Sequence, residues 1–335
     1  MKSRVAVLGA GGWGTALAIL LSRKGLPVYL WARRPELAAQ LREQRANPDY
    51  LPGIELPRGL AITADIGEAV GDAEAVVFSV PSHGLREVAR QVAGKLRPGA
   101  LVVNTSKGFE CETLLRGSEV LAEELQQAEI AVISGPNFAQ EVARGQTAAT
   151  VAAAASERTA ARAQDLFMTT DFRVYTNTDL IGVETGGALK NIYAIAAGIC
   201  DGLGLGHNAR AAVITRGLLE LSRFGEALGG RRETFYGLSG LGDLVLTCTG
   251  ELSRNHRAGV ELGKGRSLEE IQRSTRMVFE GVRTTQAAVE LAAKLNVDLP
   301  LAREVHNVLF GDKRPEHALV DLMTRDRRDE GMRWT

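Results

Sequence analysis

Short apolar runs alternate with longer amphipathic stretches through the first half of the chain. "RVAVLG", "PVYLWA", "EAVVFSV", "ALVVNT", "EIAVIS", "TAATVAAA" and "FRVYTN" each read as a short strand. Between them, apolar residues recur at helical spacing over residues 13–24, where Gly25 stops the pattern, over residues 35–45, and in "HGLREVARQVAGKL". Strands without a polar face, alternating with helices, predict a parallel sheet covered on both sides.

After about Asn177 the pattern changes, and helical periodicity takes over in "NARAAVITRGLLELSRFGEALGG", "SLEEIQRS", "TTQAAVELAAKLNV" and "LAREVHNVLF". This predicts an α/β domain over residues 1–178 followed by an all-α domain over 179–335. "TRDRRDEGMRWT" reads as a solvated tail. The first helix of the second half, "ETGGALKNIYAIAAGIC" at 184–200, is apolar nearly all the way round. From Ala188 to Cys200 only Lys190, Asn191 and the tip of Tyr193 are strongly polar. Such a helix is buried, and a lysine is rarely buried without a partner. Either Lys190 snorkels out near the helix start, or it faces a pocket where a proton is moved.

The 335 residues, 45% of them hydrophobic, suffice for two domains and more than one core. Forty basic residues balance forty acidic ones, so no global field points to nucleic acid or an acidic membrane. Cys111, Cys200 and Cys248 fit neither a disulfide framework nor a zinc motif, and reduced cytosolic thiols are the expectation. The N-terminal segment lacks the apolar core of a secretory signal, and no apolar run approaches membrane-spanning length. His83, His207 and His256 form no ligand spacing, and no metal is assigned.

"VAVLGAGGWGTALA" places Gly9, Gly11 and Gly14 in G-x-G-x-x-G spacing, after a strand and at the opening of a helix. Gly9 permits a tight turn, Gly11 leaves a pyrophosphate room at the backbone, and Gly14 lets helix and strand pack closely. The predicted fold is therefore a Rossmann-like, doubly wound sheet that binds a dinucleotide at a helix N-terminus. An acid that would hold a ribose 2′-hydroxyl is missing after the second strand. Arg33 and Arg34 stand there instead and suit a 2′-phosphate or stack on adenine. NADPH is favoured, and NADH stays open.

Other polar residues gather where such folds bind ligands. Lys107 in "NTSKGFE" and Gly135, Pro136 and Asn137 in "ISGPNFAQEVARG" follow strands and lie at the C-terminal edge of the sheet. Asn137 can hydrogen-bond a ligand there, and a helix is expected to follow and end at Gly145. Asp243, set between glycines and "LVL", is expected to be partly buried beside a cation. Ser253, Arg254 and Asn255 read as a helix start able to take a phosphate, or as a capped helix with surface charge.

Taken together, these stretches closely resemble the bacterial type of NAD(P)-dependent glycerol-3-phosphate dehydrogenase. The resemblance is carried by "GAGGWGTALA", "VPSH", "SKGFE", "SGPNFAQEV", "GGALKNIYAIAAGICDGLGLGHNARAAVITRG", "GLSGLGDLVLTCTGELSRNHRAG" and "FEGVRTT", nearly the whole chain. "GALKN" with "GLGDLVLTCT" is the specific part. It implies reversible reduction of dihydroxyacetone phosphate to sn-glycerol 3-phosphate, in a cytoplasmic homodimer feeding phospholipid synthesis. It implies Lys190 as proton donor and acceptor, and Lys107, Gly135, Asn137, Asp243, Ser253, Arg254 and Asn255 as substrate contacts. On the cofactor side it implies Gly11, Gly12 and Trp13, with Arg33, Arg34, Lys107, Ala139, Arg254, Val278 and Glu280. Many members carry Ser or Thr at the position of Asn137.

Within that mechanism Asp243 pairs with Lys190, and Thr247, a helical turn on, extends the hydrogen bonds. Asn191 bonds a substrate oxygen, and Lys107 adds positive charge near the carbonyl. Burial and Lys107 lower the Lys190 pKa while Asp243 raises it, and the balance is open. Two rival readings remain. One is a two-domain dehydrogenase acting on a carboxylate-bearing substrate. The other is a dinucleotide-binding redox sensor without turnover.

Overall fold

The computed structural model describes residues 4–274 and 279–327. The chain begins β1 (Val5–Leu8), α1 (Gly12–Arg23), β2 (Val28–Trp31) and α2 (Pro35–Gln44). A small hairpin, β3 (Ala46–Asn47) with β4 (Leu51–Glu55), precedes β5 (Ala61–Thr63), α3 (Ile66–Val70) and β6 (Ala75–Phe78). Then come α4 (Leu85–Val92), β7 (Leu101–Asn104), α5 (Gly117–Glu124), β8 (Glu129–Ser134) and α6 (Ala139–Ala143). β9 (Ala148–Ala154), α7 (Glu157–Phe167) and β10 (Phe172–Asn177) complete the strands. Helices follow: α8 (Leu180–Gly202), α9 (Gly206–Ala227), α10 (Arg232–Phe235), α11 (Asp243–Thr249) and α12 (Arg254–Gly263). The last are α13 (Leu268–Arg273), α14 (Glu280–Lys294), α15 (Pro300–Phe310) and α16 (Pro315–Met323).

Eight strands form one sheet in the order β10-β9-β8-β7-β6-β1-β2-β5. Its interior strands are apolar on both faces because both faces are covered. In β1, Val5 and Val7 join one core with Leu17, Leu30 and Val103, while Ala6 and Leu8 join the opposite core with Phe78, Val88 and Leu121. The strand order reverses about β1 and β6, which opens a crevice at the C-terminal edge. A third core, around Leu189, Tyr193, Phe224 and Phe235, is built mainly by the helical half and takes in Phe109 and Leu114 from the first half.

The expectation of a parallel sheet needs one correction. β9 pairs antiparallel to β8, with Ser134 opposite Val151, while the other neighbours in the sheet are parallel. The intervening α6 has five residues, too few to carry the chain back along the sheet for a parallel crossover. The reversal has a use. β9 and β10 run away from the C-terminal edge, so α8 starts below it, with Val183 packed beside Val132 and Ala153. The helix then rises past the edge, where Gly187 lies against Ser134.

Helix limits differ modestly from the expected ones. The segment beginning at His83 opens as a 3₁₀ turn, Ser82–Gly84, and α4 stops at Val92, before Gly94 at φ +75°. The helix expected over 184–200 extends at both ends to Leu180–Gly202. Most of the expected tail, and Val278, lie outside the described residues.

Candidate active site

The glycine turn is built as its spacing predicts. Gly9 has φ +115°, and a Cβ there would stand 2.9 Å from the Ser79 carbonyl carbon. A Cβ on Gly14 would stand 3.1 Å from that of Gly9. A Cβ on Gly12 would meet the Tyr50 carbonyl oxygen at 2.6 Å and the Ala139 methyl at 3.9 Å. Gly11, by contrast, faces open space within 4 Å and caps α1 without any side-chain bond to the helix. The first N–H groups of α1 are thus free for an anion, and this turn fits a pyrophosphate. Asn47 braces it, donating to Ala10 O at 3.0 Å and Thr15 Oγ1 at 2.8 Å. Trp13 is half-buried at the same turn, and Ala139 opens α6 beside it. Arg33 and Arg34 stand exposed after β2, without an ion-pair partner among the described residues.

At the sheet edge the two halves of the chain meet through three charges. Asp243, at the start of α11, is 0% exposed. Its Oδ1 accepts from Lys190 Nζ, and its Oδ2 accepts from Lys107 Nζ at 2.5 Å. Lys107 also donates to Gly135 O at 3.3 Å. Thr247 Oγ1 donates to the Asp243 backbone carbonyl at 2.6 Å and lies 3.4 Å from Oδ1. Lys190 is 7% exposed, so it does not snorkel.

Glycines make this convergence possible. A Cβ on Gly187 would press on Ser134 Oγ and lie 3.6 Å from the Lys107 stem. One on Gly186 would lie 3.2 Å from the Ser239 carbonyl carbon, in the π-helical turn Leu238–Gly242 that delivers Asp243. Gly135 leaves room for Thr150, whose Cα a Cβ would approach to 2.9 Å.

Burial pushes the Lys190 ammonium down to about 7; Asp243 pulls it up, and Lys107 pushes it further down. Burial thus wins the balance that the sequence left open. An amine of that acidity, held in a closed recess, can release a proton near neutral pH and take one back.

Beside this cluster, α8 and α12 run parallel. Asn255 Nδ2 donates to Asn191 Oδ1 at 2.9 Å, Gly259 packs on Ile195, and Gly263 packs on Ile199 and Gly202. The start of α12 therefore lies next to Lys190 and Asn191. Ser253 caps it, accepting from the N–H of His256 at 3.2 Å, and Arg254 extends exposed from its first position. The amide hydrogens of Asn191 have no acceptor among the described residues. α14 closes the site: Gly281 N–H donates to Asn255 Oδ1 at 3.1 Å, and Glu280 accepts from Ser82 Oγ at 2.9 Å. The amide hydrogens of Asn137 go to Pro136 O (2.8 Å) and Ala149 O (3.0 Å). It offers a ligand an acceptor rather than a donor.

Two family models cover the chain: the NAD-dependent glycerol-3-phosphate dehydrogenase N-terminus matches residues 4–160, and its C-terminus matches 179–320. The chain belongs to the NAD-dependent glycerol-3-phosphate dehydrogenase family. It is 54% identical over 330 residues to a glycerol-3-phosphate dehydrogenase [NAD(P)+] of Moorella thermoacetica, covering 98% of each chain. It is 51% identical to the Geobacter metallireducens enzyme of the same name, over 98% of this chain and 99% of that one. A crystal structure of glycerol-3-phosphate dehydrogenase from Coxiella burnetii superposes with TM-score 0.94 at 40% identity, over 97% of this chain and 99% of that one.

In this member of the glycerol-3-phosphate dehydrogenase family, the residues read from the sequence form two groups. Lys107, Gly135, Lys190, Asp243 and Thr247 share one hydrogen-bonded cluster, with Asn191, Ser253, Arg254 and Asn255 alongside. Gly9, Gly11, Gly12, Trp13, Gly14 and Ala139 surround the α1 turn, while Arg33 and Arg34 stand apart at the end of β2. No motif in the sequence marks Asn47, Ser82, Asn104 or Glu184 as site residues. Glu184 had a signal, because it is a carboxylate on the same apolar helix as Lys190.

Proposed function

We infer that this chain is an NAD(P)-dependent sn-glycerol-3-phosphate dehydrogenase, reversibly reducing dihydroxyacetone phosphate. The observation that carries the mechanism is the buried Lys190–Asp243–Lys107 cluster beside the start of α12. The α1 turn in the 1–178 half would hold the cofactor, and the 179–335 half would grip the phosphate of the substrate. The turn from Gly9 to Gly14, Ala139, Arg33 and Arg34 would hold the dinucleotide, with Lys107, Arg254 and Glu280 at its edge. When bound, the nicotinamide supplies a hydride to the ketone carbon.

The residues of the chain handle charge, proton and position. Arg254, with Ser253 and Asn255 at the helix start, holds the phosphate, a group remote from the reaction. Lys107 places positive charge where the carbonyl oxygen becomes an alkoxide, and Asn191 donates a hydrogen bond to a substrate oxygen. Lys190 gives its Nζ proton to that oxygen in reduction and recovers it in oxidation. Asp243 holds Nζ in place, and Thr247 steadies Asp243. Gly135 leaves the substrate space, and Asn137 accepts from its hydroxyl. NADPH is the preferred cofactor, supported by two uncommitted arginines where an acid would otherwise hold the 2′-hydroxyl. A homodimer, a cytoplasmic location and supply of glycerophospholipid synthesis belong to the same reading. No described helix is long and apolar enough to cross a membrane.

Initial rates with dihydroxyacetone phosphate and each reduced nicotinamide in turn test the assignment. Turnover with NADPH exceeding that with NADH is expected. A chain that oxidises neither with this ketone, yet oxidises one with a carboxylate-bearing ketone, is a different dehydrogenase.

A further inference from the structure

A second charge breaks the apolar surface of α8. Glu184 is 3% exposed and has no part in the chemistry above. Its Oε1 accepts from Asn104 Nδ2 at 3.1 Å and from Ser118 N–H at 2.8 Å. Its Oε2 accepts from Ser118 Oγ at 2.6 Å and from Arg116 Nη1 at 3.1 Å. Burial raises its pKa, and these donors oppose that shift. A carboxylate at this depth persists because its lone pairs are met.

The partners of Glu184 all lie in the other half of the chain, and one leads back to the site. Asn104 is the last residue of β7, and its Oδ1 accepts the N–H of Ser106 at 3.0 Å. Ser106 precedes Lys107, Lys107 meets Asp243 at 2.5 Å, and Asp243 meets Lys190, back on α8. The contacts close a ring that leaves α8 at Glu184 and rejoins it at Lys190. Gly117 keeps the ring open to Asn104, since a Cβ there would lie 3.3 Å from Asn104 Cγ and 2.9 Å from Leu85 Cδ2.

We propose that Glu184 is a positioning residue: by gripping Asn104 it sets the place of the Lys107 loop relative to α8, and hence of Lys107 relative to Lys190. The loop is also tied to the end of β6 and the residues after it, through Thr105 Oγ1 to Phe78 O at 2.9 Å and Ser106 Oγ to Val80 O at 2.6 Å. Those bonds hold it to the sheet; the Glu184 bond holds it to the helix that carries the proton donor. The inference rests on the reading of Lys190 as that donor.

Two variants test it. Glu184→Gln keeps the volume but turns an N–H₂ toward donors, and Asn104→Ala removes both the bond to Glu184 and the bond to the Ser106 N–H while leaving Arg116 and Ser118 on Glu184. Dihydroxyacetone phosphate reduction by the whole enzyme is followed for each variant and for the double variant, with thermal melts and NADPH fluorescence titrations. We expect kcat to fall about 10- to 100-fold in each, the scale of a misplaced catalytic group. The double variant should fall no further than the worse single one, because both break one link. NADPH affinity should hold within about three-fold, a small change on the tenfold-per-1.4-kcal/mol scale of binding. The alkaline limb of kcat/KM should move to higher pH as Lys107 withdraws from Lys190. If Glu184→Gln does not fold, Glu184→Asp, which withdraws the carboxylate from Asn104, replaces it, and a folded Glu184→Asp enzyme with wild-type kcat overturns the inference. A folded Asn104→Ala enzyme with wild-type kcat and an unmoved limb overturns the inference, as do losses that multiply in the double variant. Lys190→Ala, assayed in parallel, separates the two readings. An active Lys190→Ala enzyme removes the proton donor itself, whereas an inactive one beside an unaffected Asn104→Ala removes only Glu184.

Discussion

At the residue scale, the decisive fact about Lys190 is that depth outweighs its carboxylate partner, leaving an amine near 7. Reduction needs the protonated form, so kcat/KM for the ketone should fall as pH rises through about 7. Oxidation needs the neutral amine, so kcat/KM for glycerol 3-phosphate should fall as pH drops through the same value. Rate profiles in both directions check this, and parallel profiles would remove Lys190 from proton transfer. Lys190→Ala should lower turnover at least ~100-fold, the scale of a lost general acid, with NADPH binding nearly unchanged in a fluorescence titration. Arg254→Ala should act differently, raising KM for the phosphorylated ketone well above its effect on kcat. An unchanged KM in steady-state assays would take Arg254 out of the phosphate site.

At the element scale, helix ends carry much of the design. Glu220 on α9 accepts the N–H groups of Leu301 (2.7 Å) and Ala302 (3.1 Å), the first turn of α15, whose own N-cap makes no side-chain bond. Burial nevertheless pushes its carboxyl up to about 7 from an ordinary 4.5. Its contribution to stability is therefore fully present below 4.5 and lost as pH rises through about 7. Relative to the wild type, Glu220→Gln should gain roughly 2 kcal/mol between pH ~5 and ~8 in urea unfolding. A difference that does not change with pH would contradict the shift. The limits of sequence reading also lie at this scale. Most strands and long helices are legible because burial on two faces leaves a short apolar run and burial on one stripe leaves a period in the chain. The direction of β9 was not, because "TAATVAAA" is apolar throughout and apolarity carries no polarity along the strand. The β3–β4 hairpin was hidden by Pro52 and by Gly53 at φ +75°, which read as loop. Lys190 and Asp243 stood out because each is a charge in apolar surroundings. Glu184 passed unread because the helix start makes a carboxylate look ordinary.

At the scale of the whole molecule, the site exists only where two cores meet, since Lys107 and Gly135 come from the sheet and Lys190, Asp243 and Arg254 from the helices. Ligands should therefore stabilise the assembled chain. NADPH at about 100 times its Kd should add about 2.7 kcal/mol to the folding free energy. Arg33→Ala should shrink the thermal shift given by NADPH far more than that given by NADH at equal concentration. Equal losses in differential scanning fluorimetry would mean that Arg33 does not read the 2′-phosphate.

The parallel seating of α8 and α12, glycine against glycine, has a consequence for selectivity. At Gly198, Gly202, Gly259 and Gly263 backbone meets backbone, so either rod sliding or tilting there would drive main chain into main chain. On the proposed function, the anion grip at the head of one and the amine on the other would thereby be jaws of a fixed calliper. A ketone one carbon longer between ester and carbonyl would overshoot the amine, and a shorter one would fall short, so the spacing of two backbones becomes a measure of carbon number.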